Sequence, residues 1–469
     1  MWLFPILFIG YYFLTYLFSR HWSSLGNMLL IVVSYLLYMN WKPAYACILF
    51  GVTLITYVFA RVIDSKKQIR KGNKILIFAG VFLSLLPLLV FKYYNFVNTS
   101  ISELLAVAGL RFELPGLNWA VPVGISFFTF QAVGYLWDVY YKRIPAEKNW
   151  WHYMLFVSFF PQIASGPISK AADLLPQIKA KRVFDYEKAV QGLKWLLWGM
   201  FLKVVLADRL GLYVDSVYSN YIYQSGLSCM VASILYSFQI YGDFAGYSLM
   251  AIGVGRLMGF DLINNFNRPY LSASVTEFWH RWHISLSVWL KDYVYIPLGG
   301  SRCSKLRNYW NIFITFLVSG IWHGANWTFI VWGIWHGLFQ ILEKMFRLQK
   351  CNSKGGIKVL RILITFILVN FAWIFFRMPT LHDAWQVILK IFTDSNLNLF
   401  LPEKDVCLYI IVALLLLILK DIRDEYFSTK FLILKKYPII LRYSFYAFII
   451  ILILSIGVLD ASTFIYFQF

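Results

Sequence analysis

Residues 315–337, TFLVSGIWHGANWTFIVWGIWHG, run for 23 positions without an Asp, Glu, Lys or Arg. A helix needs about 20 apolar residues to cross a bilayer. Further apolar runs recur from one end of the chain to the other, near 2–18, 27–41, 43–60, 75–96, 119–141, 189–207, 228–258, 357–376, 406–420 and 437–458. Only helices and closed barrels satisfy their backbone groups in hydrocarbon. The alternating segments of a barrel, about ten residues each, are not seen. The pattern is that of an all-α polytopic membrane protein with about ten to twelve membrane segments, some short of a full span. Composition agrees: 60% of the 469 residues are hydrophobic and 14% are charged, against about 25% charged in a soluble domain.

Charge supplies an orientation. Lys and Arg number 43 against 23 Asp and Glu, a net charge of +20. The basic residues gather in loops between apolar runs, which is the positive-inside pattern and argues against nucleic acid as a partner. Residues 61–74 hold Arg61, Lys66, Lys67, Arg70, Lys71 and Lys74 against Asp64 alone. Residues 301–308 hold Arg302, Lys305 and Arg307. Both loops, with Lys142 and Arg143, are expected in the cytoplasm, and the near-neutral 97–118 segment on the outer side. The N-terminal stretch lacks a basic region and a cleavage site, so it reads as a first span that stays. Membrane lipids are natural partners of such a basic face. Five dispersed cysteines, Cys47, Cys229, Cys303, Cys351 and Cys407, indicate neither a disulfide framework nor a zinc site. No internal repeat appears, and one membrane domain over 1–469 is expected.

Several runs are interrupted. The glycines and Asn326 break 315–337, and Pro161, Gly166 and Pro167 break 151–169 into a re-entrant or tilted segment. Gln239, Asp243 and Arg256 inside 228–258 are expensive in lipid and must face protein or water. In 276–293, Trp279, Trp282, Leu286, Trp289, Leu290 and Tyr293 share one helical face. That segment is expected to be one amphipathic helix in the interface plane.

Of seven histidines, His21 and His382 fall in expected loops and His152 opens an aromatic segment. Two clusters remain. His280 and His283 would be neighbours on one helix face, but no third ligand is near, and a catalytic zinc needs three. His323 and His336 each sit in a Trp-His-Gly triplet. Thirteen residues apart on a continuous helix, they would point to roughly opposite sides at about 100° per residue, so that one of them is structural. An ionisable group at membrane depth is either functional or a packing hydrogen bond. A neutral buried imidazole suits general-base work, its reference pKa being about 6.5. No GxSxG elbow, Walker A loop or dinucleotide fingerprint is present.

The segments RPYLSASVTEFWHRWHISLSVWLKDYVYIPLGG and SGIWHGANWTFIVWGIWHG resemble the membrane-bound O-acyltransferases, in particular the bacterial branch that O-acetylates exported polysaccharide, as in alginate acetylation. VPVGISFFTFQAVGYLWDVY at 121–140, FFPQIASGPI at 159–168 and QIYGDFAGYSLMAIGVGRLMGF at 239–260 extend the likeness over about 120–377. The spans before 118 and after 380 carry no motif. The resemblance implies a ring of tilted helices around a tunnel through the membrane. It implies that His323 is the family's invariant histidine and that His283, in the RWH-x-S context, lines the cytoplasmic approach. Where the family usually has Arg (FWRRWH), this chain has His280. The donor would be a cytoplasmic thioester such as acetyl-CoA or an acyl carrier protein. The acceptor would be an exported glycan or a periplasmic acetyltransferase partner, with the enzyme in the bacterial inner membrane. Trp322, Asn326, Trp327, Asp243, Arg281 and His336 are expected to line the substrate tunnel, with Asn326 as a donor to the developing oxyanion. D-alanyl transfer to a teichoic-acid-like polymer is the nearest rival. A lipid or polysaccharide transporter with proton-relay histidines is the other, though transporters usually show internal repeats.

Overall fold

The computed structural model describes residues 11, 23–65, 71–110, 112, 114–163, 166–350, 354–427 and 438–458, and every regular element among them is helical. The expected first span at 2–18 lies outside the described residues apart from Tyr11, as do His21 and residues 66–70 of the basic loop. Among the described residues, five helices are long and apolar enough to cross a membrane: Pro43–Ser65, Lys74–Val107, Tyr186–Tyr218, Gly355–Arg377 and Ile439–Ile456. The protein is a multi-pass membrane protein. The other expected segments are shorter, broken or interrupted by charge. The chain divides into two compact units, residues 1–192 with 254–263, and residues 193–253 with 264–469.

The first unit holds α1 (Ser23–Met39), α2 (Pro43–Ser65), α3 (Lys71–Leu88), α4 (Tyr94–Val107), α5 (Ile125–Tyr140), α6 (Trp150–Ser158), α7 (Phe160–Ile163) and α8 (Ala171–Lys179). Its centre is α5, buried along almost its whole surface and packed on α2 and α3. Hydroxyls inside these helices bond back to their own helix, as Ser34 to Leu30 O, Thr53 to Leu49 O and Thr56 to Val52 O, each at 2.7 Å. Such back-bonds satisfy polar groups where water is scarce. Pro87 lies at the end of α3, and a wider π turn, Leu89–Tyr93, carries the helix on into α4. The apolar run expected at 75–96 therefore continues to 107. Beyond it the 114–117 segment is pinned along α4, where Asn95 and Asn98 donate to Leu117 O and Leu114 O at 2.8 Å.

The second unit holds most of α9 (Tyr186–Met200), a π turn at Phe201–Ala207, α10 (Asp208–Tyr218) and most of α11 (Gly226–Leu257). Then come α12 (Val275–Arg281), α13 (Ile284–Leu290), α14 (Lys305–His323), α15 (Trp327–Met345), α16 (Gly355–Arg377), α17 (Leu381–Thr393), α18 (Lys404–Tyr426) and α19 (Ile439–Ile456). One apolar cluster joins them, built on Phe201, Tyr236, Trp282, Trp332 and Trp373, all fully buried. Residues 276–293 are not one interfacial helix: the chain breaks at Trp282–His283, and the aromatic face is buried in protein. Residues 420–426, expected in a loop, complete α18, because their charges find partners within the unit.

Candidate active site

The 315–337 run folds as a helical hairpin. α14 ends at His323, Gly324 to Asn326 turn the chain, and α15 returns antiparallel. Small residues permit the close crossing. A Cβ on Gly320 would stand 2.4 Å from the Phe329 carbonyl oxygen, and one on Gly333 2.5 Å from that of Phe316. Asn326 caps α15, its Oδ1 accepting from Thr328 N at 3.0 Å, while its Nδ2 donates to Pro379 O at 2.7 Å. Since the helix is interrupted, the thirteen-residue spacing does not set His323 and His336 on opposite sides. Both contact Trp332.

Three buried imidazoles are linked through two tryptophans. His283 lies edge-on to Trp322, ring centroids 5.8 Å apart, and Trp322 to His323 at 4.8 Å. His323 in turn meets Trp332 at 4.8 Å, and Trp332 meets His336 at 4.9 Å. Phe376 from α16 closes a further side of His323 at 5.3 Å. The three histidines are 0%, 2% and 1% exposed in chain order, so no ring stands open to bulk solvent. His336 has an additional partner: Trp279 Nε1 donates to its Nδ1 at 3.3 Å. An accepting Nδ1 leaves the proton of the neutral ring on Nε2.

His283 occupies a strained position. Its φ of 42° is left-handed, rare for a non-glycine residue and a recurrent mark of functional sites. Asn265 holds the kink from 18 residues away. Its carbonyl accepts from Ile284 N at 2.9 Å and its Oδ1 from Ser285 N at 3.1 Å. Phe244 of α11 packs edge-on to the His283 ring at 4.6 Å. Burial pushes the His283 imidazole down from the ordinary histidine range. The start of α12 is fixed from α15, where the Glu343 carboxylate accepts from Val275 N at 2.6 Å and from Thr276 N at 2.9 Å. A carboxylate at a helix N-terminus satisfies donors that otherwise have no partner.

The remaining expected residues are placed as follows. Trp322 is buried between His283 and His323. Asn326 braces the hairpin turn, and Trp327 is half exposed beside it. Asp243 is buried, 2.7 Å from Lys203 Nζ, which also lies 2.7 Å from Asp208. Pairing is what allows such charges at membrane depth. Arg281 is engaged by carboxylates, Glu277 at 2.6 Å and Glu425 at 2.9 Å, with Arg268 adding 2.8 Å to Glu425. Burial alone would raise the Glu425 carboxyl, but Arg281 and Arg268 hold it below the ordinary range. His280 is exposed while His283 is buried, and the kink separates them, so the two do not share a helix face. Among the described residues no three His, Cys, Asp or Glu gather as a metal site. His382 lies on the first turn of α17 rather than in a loop, and is exposed as expected.

Sequence reading missed Asn265, Trp332, Glu343, Phe376 and Glu425. All but Trp332 act across long sequence separations, and Trp332 is one of several tryptophans in an apolar run. The buried Glu343 carried the only signal, an acid closing an otherwise apolar helix.

Residues 148–381 match the model of MBOAT, the membrane-bound O-acyltransferase family, a range that includes all three histidines. The probable alginate O-acetylase AlgI of Pseudomonas aeruginosa is 37% identical over 401 residues, covering 85% of this chain and 75% of that protein. The peptidoglycan O-acetyltransferase of Helicobacter pylori is 34% identical over 416 residues, 82% of this chain and 76% of its own length. The teichoic acid D-alanyltransferase of Streptococcus thermophilus is 30% identical over 365 residues, 71% and 84%. With relatives this similar along most of its length, the chain belongs to the membrane-bound O-acyltransferase family and is an O-acyltransferase of the membrane.

Proposed function

We propose that this enzyme moves an acetyl group from a cytoplasmic thioester, such as acetyl-CoA or an acyl carrier protein, to hydroxyls of an exported glycan, with His323 as general base. The observation that carries the reading is the position of His323: the last residue of α14, at the tip of a glycine-crossed hairpin, held between Trp322, Trp332 and Phe376. Aromatic walls fix the ring and exclude water, which matters because water would hydrolyse the thioester. In the transfer, the imidazole takes the hydroxyl proton as the oxygen attacks the thioester carbonyl carbon. The C–O bond forms, the C–S bond breaks, and the leaving thiolate takes the proton back. General-base help of this kind contributes about 10²–10⁴-fold, and holding the two substrates together adds a proximity term.

His283 is assigned to the donor side, and Trp322 couples its position to that of His323. Asn326 is assigned to bracing the turn rather than to the oxyanion, since its amide already donates to Pro379. Acetyl is favoured over D-alanyl because the acetylating relatives share more of the sequence, 37% and 34% against 30%. A transporter finds no support among relatives named as acetylases and transferases. The acceptor is either the glycan itself or a second transferase on the outer side of the bacterial inner membrane.

The test is to incubate the purified protein in lipid nanodiscs with acetyl-CoA labelled in the acetyl group and with candidate glycans. Label appearing on glycan, or on a periplasmic transferase added alongside, supports the reading. Transfer from a D-alanyl carrier protein and none from acetyl donors would replace it with the D-alanyl reading.

A further inference from the structure

Within the first unit a cavity of about 680 Å³ opens beside the end of α8, lined by Lys181, Arg182, Phe184, Tyr186, Lys188 and Asp261, among others. That volume lies in the range of ligand sites. Nothing in the transfer chemistry uses it. Its edge belongs to the basic face of the unit: Lys179 pairs with Glu147, and Lys142, in the same loop as Glu147, lies 3.5 Å from Asp64. The cavity lining therefore adjoins the loop that carries Lys142, Arg143 and Lys148.

Arg182 sets the charge of the cavity. It is 6% exposed, and its guanidinium lies over the rings of Phe260 at 4.5 Å and Tyr11 at 5.9 Å. One amino group donates to Asn27 Oδ1 at 2.5 Å, while Nε and Nη1 have no hydrogen-bond partner among the described residues. Among the described residues no carboxylate pairs with it, and residues 1–22 contain none in sequence, although Asp185 and Asp261 also line the cavity. A buried cation without a counter-ion projects its field into the nearest open space, because low-dielectric walls focus it. Lys181 adds a second positive charge. Lys188 adds a third, shared with Asp261 at 2.8 Å. Around them Val183 is 75% exposed, Tyr186 72% and Phe184 47%. Apolar side chains left out among lysines are what a segment shows where headgroups meet acyl chains.

We propose that this cavity is an anion site for a phosphate group, with Arg182 as the fixed charge beneath it and Lys181 and Lys188 as its direct contacts. The phosphate would come from an anionic phospholipid headgroup, favoured by the apolar rim, or from a soluble phosphate ester.

The full-length protein would be placed in nanodiscs of phosphatidylcholine with a minor share of phosphatidylglycerol, and lipid retained on the protein measured by native mass spectrometry. The same protein would be titrated separately with inorganic phosphate. A Lys181→Gln, Lys188→Gln double variant changes only partly exposed side chains and should fold. Lys142→Gln, outside the cavity on the same basic face, controls for general surface charge. Wild type should retain phosphatidylglycerol over phosphatidylcholine by roughly tenfold, as expected for a few lysines near an anionic group. The double variant should lose that preference and Lys142→Gln keep it. Phosphate binding that is lost in the double variant would equally support the site and assign the soluble source. No preference and no soluble binding in wild type, or binding unchanged in the double variant, would overturn the proposal.

Discussion

The triplet Trp-His-Gly occurs twice, at 322–324 and at 335–337, and the two copies have different surroundings. In the first, the histidine ends a helix, and its ring meets aromatic side chains from its own and neighbouring helices. In the second, the histidine is inside α15, one turn beyond Trp332, and accepts a hydrogen bond from Trp279 of α12. Local sequence makes the two equivalent, and the turn between them does not. A ring at a helix end can be reached along directions that the helix body blocks elsewhere. A ring hydrogen-bonded by an indole is tied to the packing. On the proposed function, His323 is the reacting imidazole and His336 a supporting one.

The largest effect should follow from breaking the hairpin that separates the copies. In Gly333→Val the added Cβ would meet the Phe316 carbonyl at 2.5 Å, and backbone cannot yield as a flexible side chain can. Overpacking of this kind costs about 1–3 kcal/mol or more, so the variant should give little monodisperse protein on size exclusion. Gly51→Ala, where nothing lies within 4 Å, should behave as wild type. Equal yields of the two would mean that the close crossing does not matter.

Next in size is the donor side. His283→Ala should raise the KM for acetyl donor by about tenfold or more, the scale on which mispositioning at a site acts. Asn265→Ala should shift it in the same direction by less, since Asn265 acts only through the kink. A change in kcat alone, with KM for donor untouched, would remove His283 from the donor path.

His336→Leu should lower stability without removing activity. It leaves the Trp279 N–H without its acceptor, at a cost of about 1–3 kcal/mol. The thermal midpoint should fall while the rate per folded enzyme stays within a few-fold. Abolished transfer in a well-folded His336→Leu protein would invert the assignment of the two copies.

The smallest effect concerns pH. The Glu425 carboxyl is held below the ordinary range by Arg281 and Arg268. A carboxylate depressed in the folded state stabilises the fold above its unfolded pKa and loses that contribution as pH falls through the folded value. Thermal stability should therefore be level near neutrality and decline in acid below the ordinary glutamate range, about 4.3. Glu425→Gln should reduce that acid-dependent part. An identical acid profile in the variant would show that the clamp contributes nothing measurable.

Much of the architecture was legible in sequence. The run expected at 357–376 is the helix Gly355–Arg377, and that at 43–60 is Pro43–Ser65. Length and hydropathy decide such segments with little help from tertiary contacts. The break at Trp282–His283 was not legible, because the aromatic periodicity runs through it without glycine or proline, and the residue that enforces it, Asn265, is distant. The same holds for residues 420–426, whose charges look like a loop until Arg268 and Arg281 are seen to face them. The glycines and Asn326 did mark the hairpin turn. What they could not give was Trp332 as the ring shared by both histidines, since that contact exists only once the turn has closed.

Acetyl transfer, measured per folded enzyme in the same nanodiscs for His323→Gln and His336→Gln side by side, separates a reacting imidazole from a supporting one. Glutamine keeps an acceptor and much of the volume but cannot accept the acceptor's proton at working pH. His323→Gln should lose at least about a hundredfold, the lower end of general-base help, at near-normal thermal stability, while His336→Gln should retain most of the rate. Substantial transfer by His323→Gln, or a greater loss in His336→Gln, would contradict the assignment of His323 as the base.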